Sequence, residues 1–151
     1  MIKCVKTDSE NEDFRRLVRE LDTDLKTRDG DEHTFYSQFN KIDCIKYVVV
    51  AYVNNEAVGC GAIKEYSADA VELKRMYVQP DKRGQGVATE ILKALEVWAT
   101  ELNYTKCVLE TGKKQPEAIG LYLKNGYAVI PNYGQYENVE NSVCFEKLIK
   151  L

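Results

Sequence analysis

The sequence predicts an α/β (α+β) domain: a mixed, mainly antiparallel central sheet flanked by helices. Runs rich in β-branched and aromatic residues outnumber amphipathic helical runs. Most links between the extended runs are short, as hairpin connections are. The chain has 151 residues, enough for one well-packed α/β domain over 1–151 and too few for two ordinary ones.

Ile2–Lys6 alternates weakly and is the opening strand. Ser9 and Glu12 stand at capping-box spacing, and Phe14, Leu17, Val18, Leu21 and Leu25 form the apolar stripe of a first helix. Thr27-Arg28-Asp29-Gly30-Asp31 is turn chemistry that ends it, and Glu32–Gln38 is a short second helix presenting His33, Phe35, Tyr36 and Phe39. Tyr47–Tyr52 is strongly β-branched, and the Asn54-Asn55 pair turns it into a second strand, Ala57–Tyr66, that contains Gly59 and Gly61.

The rest is organised around Val71–Ala99. An extended run, Val71–Val78, is closed off by Pro80. A long helix follows, with Val87, Ile91, Leu92, Leu95, Trp98 and Leu102 on one face. Lys106–Thr111 is the next strand, and Pro116 suits the first position of the helix that follows. Gly126 caps that helix, and Tyr127–Ile130 and Ser142–Leu148 are the last two strands.

Composition narrows the function. The chain is 44% hydrophobic and 30% charged, which is globular, and its net charge of −3 has no basic excess to suit nucleic acid. No apolar run approaches membrane-spanning length, and the N-terminus lacks a signal peptide's apolar stretch. Cys4, Cys44, Cys60, Cys107 and Cys144 are dispersed through apolar runs with no metal-binding spacing, as reduced core cysteines are. A cytoplasmic protein without a bound metal is the expectation.

Between the organising strand and its helix lies Arg83-Gly84-Gln85-Gly86. Glycines allow close approach of backbone to ligand, and the first N–H groups of a helix have no partner within it. Together with the positive end of the helix dipole they suit an anion, a pyrophosphate included. The turn is not a P-loop, which needs Gly-x4-Gly-Lys-Ser/Thr, and Thr89 stands where a dinucleotide fingerprint needs its third glycine. It fits Arg-x-x-Gly-x-Ala over Arg83–Ala88. Downstream, Gln115-Pro-Glu-Ala118-Ile-Gly-Leu121-Tyr122-Leu-Lys-Asn-Gly126-Tyr127 fits Asn-x-x-Ala-x-x-Leu-Tyr-x-x-x-Gly-Phe.

These two motifs, in this order, resemble those of the GNAT superfamily of N-acetyltransferases, with the resemblance firm over 51–129. It implies direct transfer of acetyl from acetyl-CoA to a primary amine of a small acceptor (an amino acid, a polyamine or similar) or of a peptide terminus. It implies strands that splay to admit the pantetheine arm, a backbone oxyanion donor within Met76, Tyr77 and Val78, and Tyr122 as the acid that protonates the departing thiolate. The pyrophosphate falls on Arg83, Gly84, Gln85, Gly86, Val87 and Ala88, with Thr89 just behind. Ala118, Tyr122 and Lys124 lie along the cofactor.

Glu72 and Glu110 are the two candidates for general base, a water chain being the alternative. Simple alternation puts Glu72, Lys74 and Met76 on one face unless a bulge intervenes. Tyr133 and Tyr136 sit on a polar loop that either closes over the acceptor or packs on the strands, and His33 either lines the acceptor pocket or lies on the surface. Three departures stand out: Ala88 for the second motif glycine, Tyr127 for phenylalanine, and Gln115 for asparagine, which changes the amide offered to the cofactor. A non-catalytic acyl-CoA sensor on the same fold, or a regulatory domain binding ATP or NAD at the glycine turn, are the competing functions. Many relatives dimerise through the C-terminal strands, so a homodimer is the form to look for.

Overall fold

The elements run β1 (Ile2–Thr7), α1 (Glu12–Asp29), β2 (Tyr47–Val53), β3 (Glu56–Glu65), β4 (Ala70–Val78), α2 (Val87–Glu101), β5 (Lys106–Gly112), α3 (Pro116–Lys124), β6 (Ala128–Ile130) and β7 (Ser142–Leu148). This is a computed structural model that describes residues 1–29 and 45–149. The short helix predicted over 32–38, His33 and Cys44 lie outside them.

The strands form one sheet in the order β1-β2-β3-β4-β5-β7-β6. Every neighbouring pair is antiparallel except β4 and β5. That parallel pair is brief: Ala70 faces Lys106, Val71 faces Cys107 and Glu72 faces Val108. Beyond these the two strands run on to Val78 and Gly112 unpaired with each other, so the sheet opens between them. The predicted mixed, mainly antiparallel sheet with a splayed centre is the fold observed.

Helices cover both faces. On one, Val87, Ile91, Leu92 and Leu95 of α2 pack on Val49, Ala51, Val58, Leu73 and Leu109, with Tyr122 of α3 alongside. On the other, Phe14, Leu17, Val18 and Leu21 of α1 pack on Val48, Val50, Cys60, Ala62 and Tyr77. Alternation along the strands supplies both sets of residues. Gly61 is required by close approach: a methyl added there would meet Met76 Sδ and the side chains of Ile91 and Leu95.

Local signals explain most boundaries. Asn54 and Asn55 both have positive φ, 51° and 67°, as a type I′ hairpin turn demands. At the end of α3, Gly126 adopts φ +91°. The Tyr127 N–H donates to Tyr122 O at 3.0 Å and the Gly126 N–H to Leu123 O at 3.3 Å, a Schellman motif. The rings of Tyr122 and Tyr127 meet edge to face at 5.7 Å across it.

Two expectations for α1 are corrected. Its cap is Asn11, whose Oδ1 accepts from the Phe14 N–H at 2.9 Å. Ser9 instead lies buried, its N–H bonded to Ile45 O at 3.1 Å, so the capping-box spacing was coincidental. The helix also runs through Thr27 and Arg28 to Asp29, past the predicted stop, because neither residue forbids helical backbone.

Candidate active site

The opening between β4 and β5 is shaped by a bulge. Cys60 faces Tyr77 and Ala62 faces Lys74, so Gly61 stands opposite two residues, Arg75 and Met76. Arg75 takes φ +58°, a conformation that costs a non-glycine residue about 1 kcal/mol. It is held there from both ends: its Nη1 donates to Asp22 Oδ1 of α1 at 2.6 Å, and its carbonyl accepts from Cys60 Sγ at 3.3 Å.

The bulge overturns simple alternation. Met76 leaves the face that carries Glu72 and Lys74 and lies over Gly61 on the α2 side. Past the bulge, the Gln79 N–H bonds Val58 O on β3 at 2.9 Å. The peptide groups of Val78, one residue earlier, therefore point away from β3 and toward the gap.

The glycine turn sits at the mouth of this gap. Gly84 and Gly86 have φ of +79° and +86°, and a Cβ at either would meet nothing within 4 Å. Gly86 caps α2, its carbonyl accepting from Glu90 N–H at 3.1 Å, so the amides just inside the helix start have no intrahelical acceptor. Arg83 is pinned beneath: its Nε donates to Val78 O at 2.8 Å and its guanidinium lies 5.7 Å from the centre of the Tyr77 ring. A cleft of about 320 Å³ opens here, and its walls include every residue of 82–89 except Gln85. Met76, Tyr77, Val78, Gln115, Ala118, Tyr122 and Lys124 line it further. Its chemistry is an anion-suited mouth leading to an apolar channel.

A second, smaller cavity of about 100 Å³ lies on the α1 side of the gap. Leu21, Met76, Gln115, Ala118 and Tyr122 line both spaces, so they are two ends of one crevice. The small end is polar, with Glu72, Lys74, Glu110, Thr111 and Tyr136 in its wall. Glu72 and Lys74 are both buried. One Glu72 oxygen is 3.7 Å from Lys74 Nζ, and the other accepts from the Tyr133 phenol at 2.7 Å. Lys74 Nζ also reaches the Tyr136 phenol at 3.4 Å, and Glu110 accepts from the Ser142 hydroxyl at 2.7 Å.

Burial pushes the Lys74 ammonium below the ordinary lysine range, an effect that the Glu72 and Glu110 carboxylates oppose. Tyr122, at the junction, moves the other way. Burial, reinforced by the Glu110 carboxylate, pushes its phenol well above the ordinary tyrosine range. Its ring is fixed by contacts with Tyr127 and with Phe145, 5.8 Å away.

The two motifs, about thirty residues apart in the chain, thus meet across one crevice, and Glu72 and Glu110 both line its small end. Gln85 stands on the turn but outside the cleft wall. Tyr133 and Tyr136 are not exposed loop aromatics. Tyr136 is buried, and Tyr133 packs edge to face on Tyr66 at 5.0 Å and on Tyr136 at 5.7 Å. Sequence reasoning gave Leu21 and Leu25 to the core only, yet both also line the small cavity, and it assigned no role to Asp22 or Lys74. Lys74 carried a legible signal, a lysine inside an otherwise apolar strand. Asp22 carried none, since its partner depends on the bulge.

The family model described as Acetyltransferase (GNAT) family matches residues 11–127. The chain is 36% identical to an IAA acetyltransferase from Azospirillum brasilense over 100 residues, 66% of this chain. That match spans 65% of the relative's length. An acyl-CoA N-acyltransferase structure from Klebsiella pneumoniae superposes with a TM-score of 0.84 at 28% identity, covering 99% of both chains. The PaiA N-acetyltransferase of Thermoplasma acidophilum, solved with coenzyme A, shares the fold: TM-score 0.73, 17% identity, 98% of this chain and 99% of that one.

Proposed function

Because the chain belongs to the GNAT acetyltransferase family, whose co-substrate is acetyl-CoA, we propose that it moves the acetyl group directly to a primary amine of a small acceptor or peptide terminus. The observation that carries this reading is the junction at Met76 and Tyr122, where an anion-suited cleft and a polar cavity share one wall.

On this reading the α2 N-terminus and Arg83 to Thr89, Gln85 from the rim, hold the pyrophosphate, and Met76, Tyr77, Val78, Gln115 and Ala118 flank the pantetheine arm. A neutral amine in the small cavity attacks the thioester carbonyl, forming the C–N bond. The Val78 N–H is the donor aimed at the developing oxyanion. The C–S bond then breaks, Tyr122 gives its proton to the departing sulfur, and a carboxylate takes the proton that the nitrogen sheds. The unit is the whole chain, 1–151, acting in the cytoplasm on a small molecule, without nucleic acid or membrane. Free Cys4, Cys60, Cys107 and Cys144 support a reducing compartment, and no helix among the described residues is long and apolar enough to cross a membrane.

Calorimetric titration with acetyl-CoA, with ATP and NADH as parallel controls, tests the reading. Selective binding of acetyl-CoA is expected. No binding by demonstrably folded protein returns the glycine turn to a mere βα connection.

Of the two carboxylates, Glu110 suits the base better. It lies on β5 beyond the last residue paired with β4, within the gap, and its charge is felt at Tyr122. Glu72 sits in that last pair and already holds Lys74 and Tyr133. Glu110→Gln is therefore expected to lower kcat/KM by about 100-fold. Glu72→Gln should lower it far less. The reverse pattern, read from released CoA thiol, would exchange the two roles.

A further inference from the structure

The stretch of β4 that carries the proposed oxyanion donor is supported within the sheet from one side only. Its pairing with β5 ends at Glu72 and Val108, so from Leu73 to Val78 its one sheet neighbour is β3. The bulge, with Arg75 at φ +58°, lies inside that stretch. Resting on the acetyltransferase reading, we propose that Asp22 and Glu20 of α1 are positioning residues, whose hold on β4 keeps the Val78 N–H aimed into the gap.

Past the bulge, alternation turns Arg75, Tyr77 and Gln79 toward α1, and each meets one of these two carboxylates. Arg75 Nη1 donates to Asp22 Oδ1 at 2.6 Å. The Tyr77 phenol donates to Glu20 Oε1 at 3.3 Å, and Gln79 Nε2 donates to the two Glu20 oxygens at 3.2 and 3.4 Å. The residues on either side of Val78 are thus tied to one side chain of α1. Arg75 depends on its own partner more heavily. Its side chain is only 7% exposed, and its Nε is buried with no hydrogen-bond partner among the described residues. Removing the Asp22 charge takes away the carboxylate that offsets the guanidinium's desolvation, which drives it toward water. An Arg75 that moves outward no longer holds its left-handed backbone. Without the extra residue β4 would pair with β3 one position out of register, reversing the direction of the Val78 peptide. The amides at the start of α2 belong to another element, so cofactor affinity should respond less than rate.

Asp22→Asn keeps the shape of the side chain and removes its charge, at a helix position that is 44% exposed and tolerant of the change. Rates are read as released CoA thiol, with the best acceptor from a panel of primary amines and L-amino acids. The variant's kcat should fall about tenfold while its calorimetric Kd for acetyl-CoA stays within about threefold of wild type. Glu20→Ala, which takes the acceptor from Tyr77 and Gln79, should show the same split. Arg75→Gly and Arg75→Ala both delete the guanidinium, but only glycine takes φ +58° freely. Arg75→Gly should therefore retain at least about fivefold more kcat than Arg75→Ala. In the Arg75→Gly chain, Asp22→Asn should cost less than about twofold, because the pair is already gone. An ion pair that only stabilises would lower the melting temperature of Asp22→Asn and leave its kcat at saturating substrates unchanged. That result overturns the proposal, as does equal kcat in the two Arg75 variants or an undiminished Asp22→Asn effect in Arg75→Gly. Should neither Arg75 variant fold, the split between kcat and Kd in Asp22→Asn decides alone. Acetyl-CoA left unbound, or bound with no amine of the panel turned over by wild type, is a distinct result: the acetyltransferase reading falls, and this proposal with it.

Discussion

Tyr122→Phe is expected to lower kcat by about 100-fold while leaving the Kd for acetyl-CoA within a few-fold of wild type. The substitution removes a single oxygen. The ring contacts with Tyr127 and Phe145 and the Schellman turn that fixes α3 are made by atoms that phenylalanine retains. Tyr122 lines both ends of the crevice, and losing one hydroxyl costs about 1 kcal/mol of folding free energy. What it removes is a proton donor at the point where the thiolate would depart. Burial and the Glu110 carboxylate raise the phenol's pKa, so the proton is present throughout the neutral range and persists above the pH at which an exposed tyrosine loses it. The wild-type alkaline limb should accordingly not fall near pH ~10, the ordinary tyrosine value. Steady-state rates at saturating acetyl-CoA, beside a calorimetric Kd, separate the outcomes. An unchanged kcat removes Tyr122 as the acid and leaves it a packing residue.

How much of this was legible in the sequence depended on the range of the interaction. Period-2 and period-3.6 patterning located the strands and the helices α1, α2 and α3, because burial on a sheet or helix face is written locally. Asn54-Asn55, Pro116 and Gly126 marked turns and helix ends through backbone preferences of their own. The bulge at Arg75 was not legible. Its positive φ is supported by Asp22, 53 residues away, and by Cys60 on the neighbouring strand, and nothing within Val71–Val78 announces it. That one irregularity decides that Met76 turns from the polar face to the apolar one.

The same limit applied to Tyr133 and Tyr136, which looked like loop aromatics until Glu72, Lys74 and Tyr66 were brought against them from more than sixty positions away. Ser9 shows the opposite error, a correct local spacing outcompeted by Asn11, two residues closer to the helix start. The anion-suited turn and Tyr122 were legible because both rest on short, contiguous motifs. The small polar end was legible only in Glu72 and Glu110, since its other residues come from β4, β5, α1, α3 and the segment before β7.

Gly86→Asp is expected to weaken acetyl-CoA binding by 100-fold or more with the fold intact. The backbone at Gly86 has φ +86°, and aspartate is among the few residues that visit the left-handed region, at a cost of about 1 kcal/mol. No atom lies within 4 Å of the added Cβ, so no packing is disturbed. A carboxylate at the start of α2 also meets the positive end of the helix dipole, which offsets part of the backbone strain. The variant should thus melt within a few degrees of wild type. Its effect falls on the ligand. The new carboxylate competes for the amides at the helix start and adds a negative charge where the proposed pyrophosphate, itself multiply charged, must approach. Gly86→Asn supplies nearly the same shape without the charge and should recover most of the lost affinity. Binding lost equally in both variants would assign the effect to shape or strain. Binding retained in Gly86→Asp would mean that the cofactor's phosphates lie elsewhere, and the role given to Arg83–Thr89 would fall while the fold and the family stood.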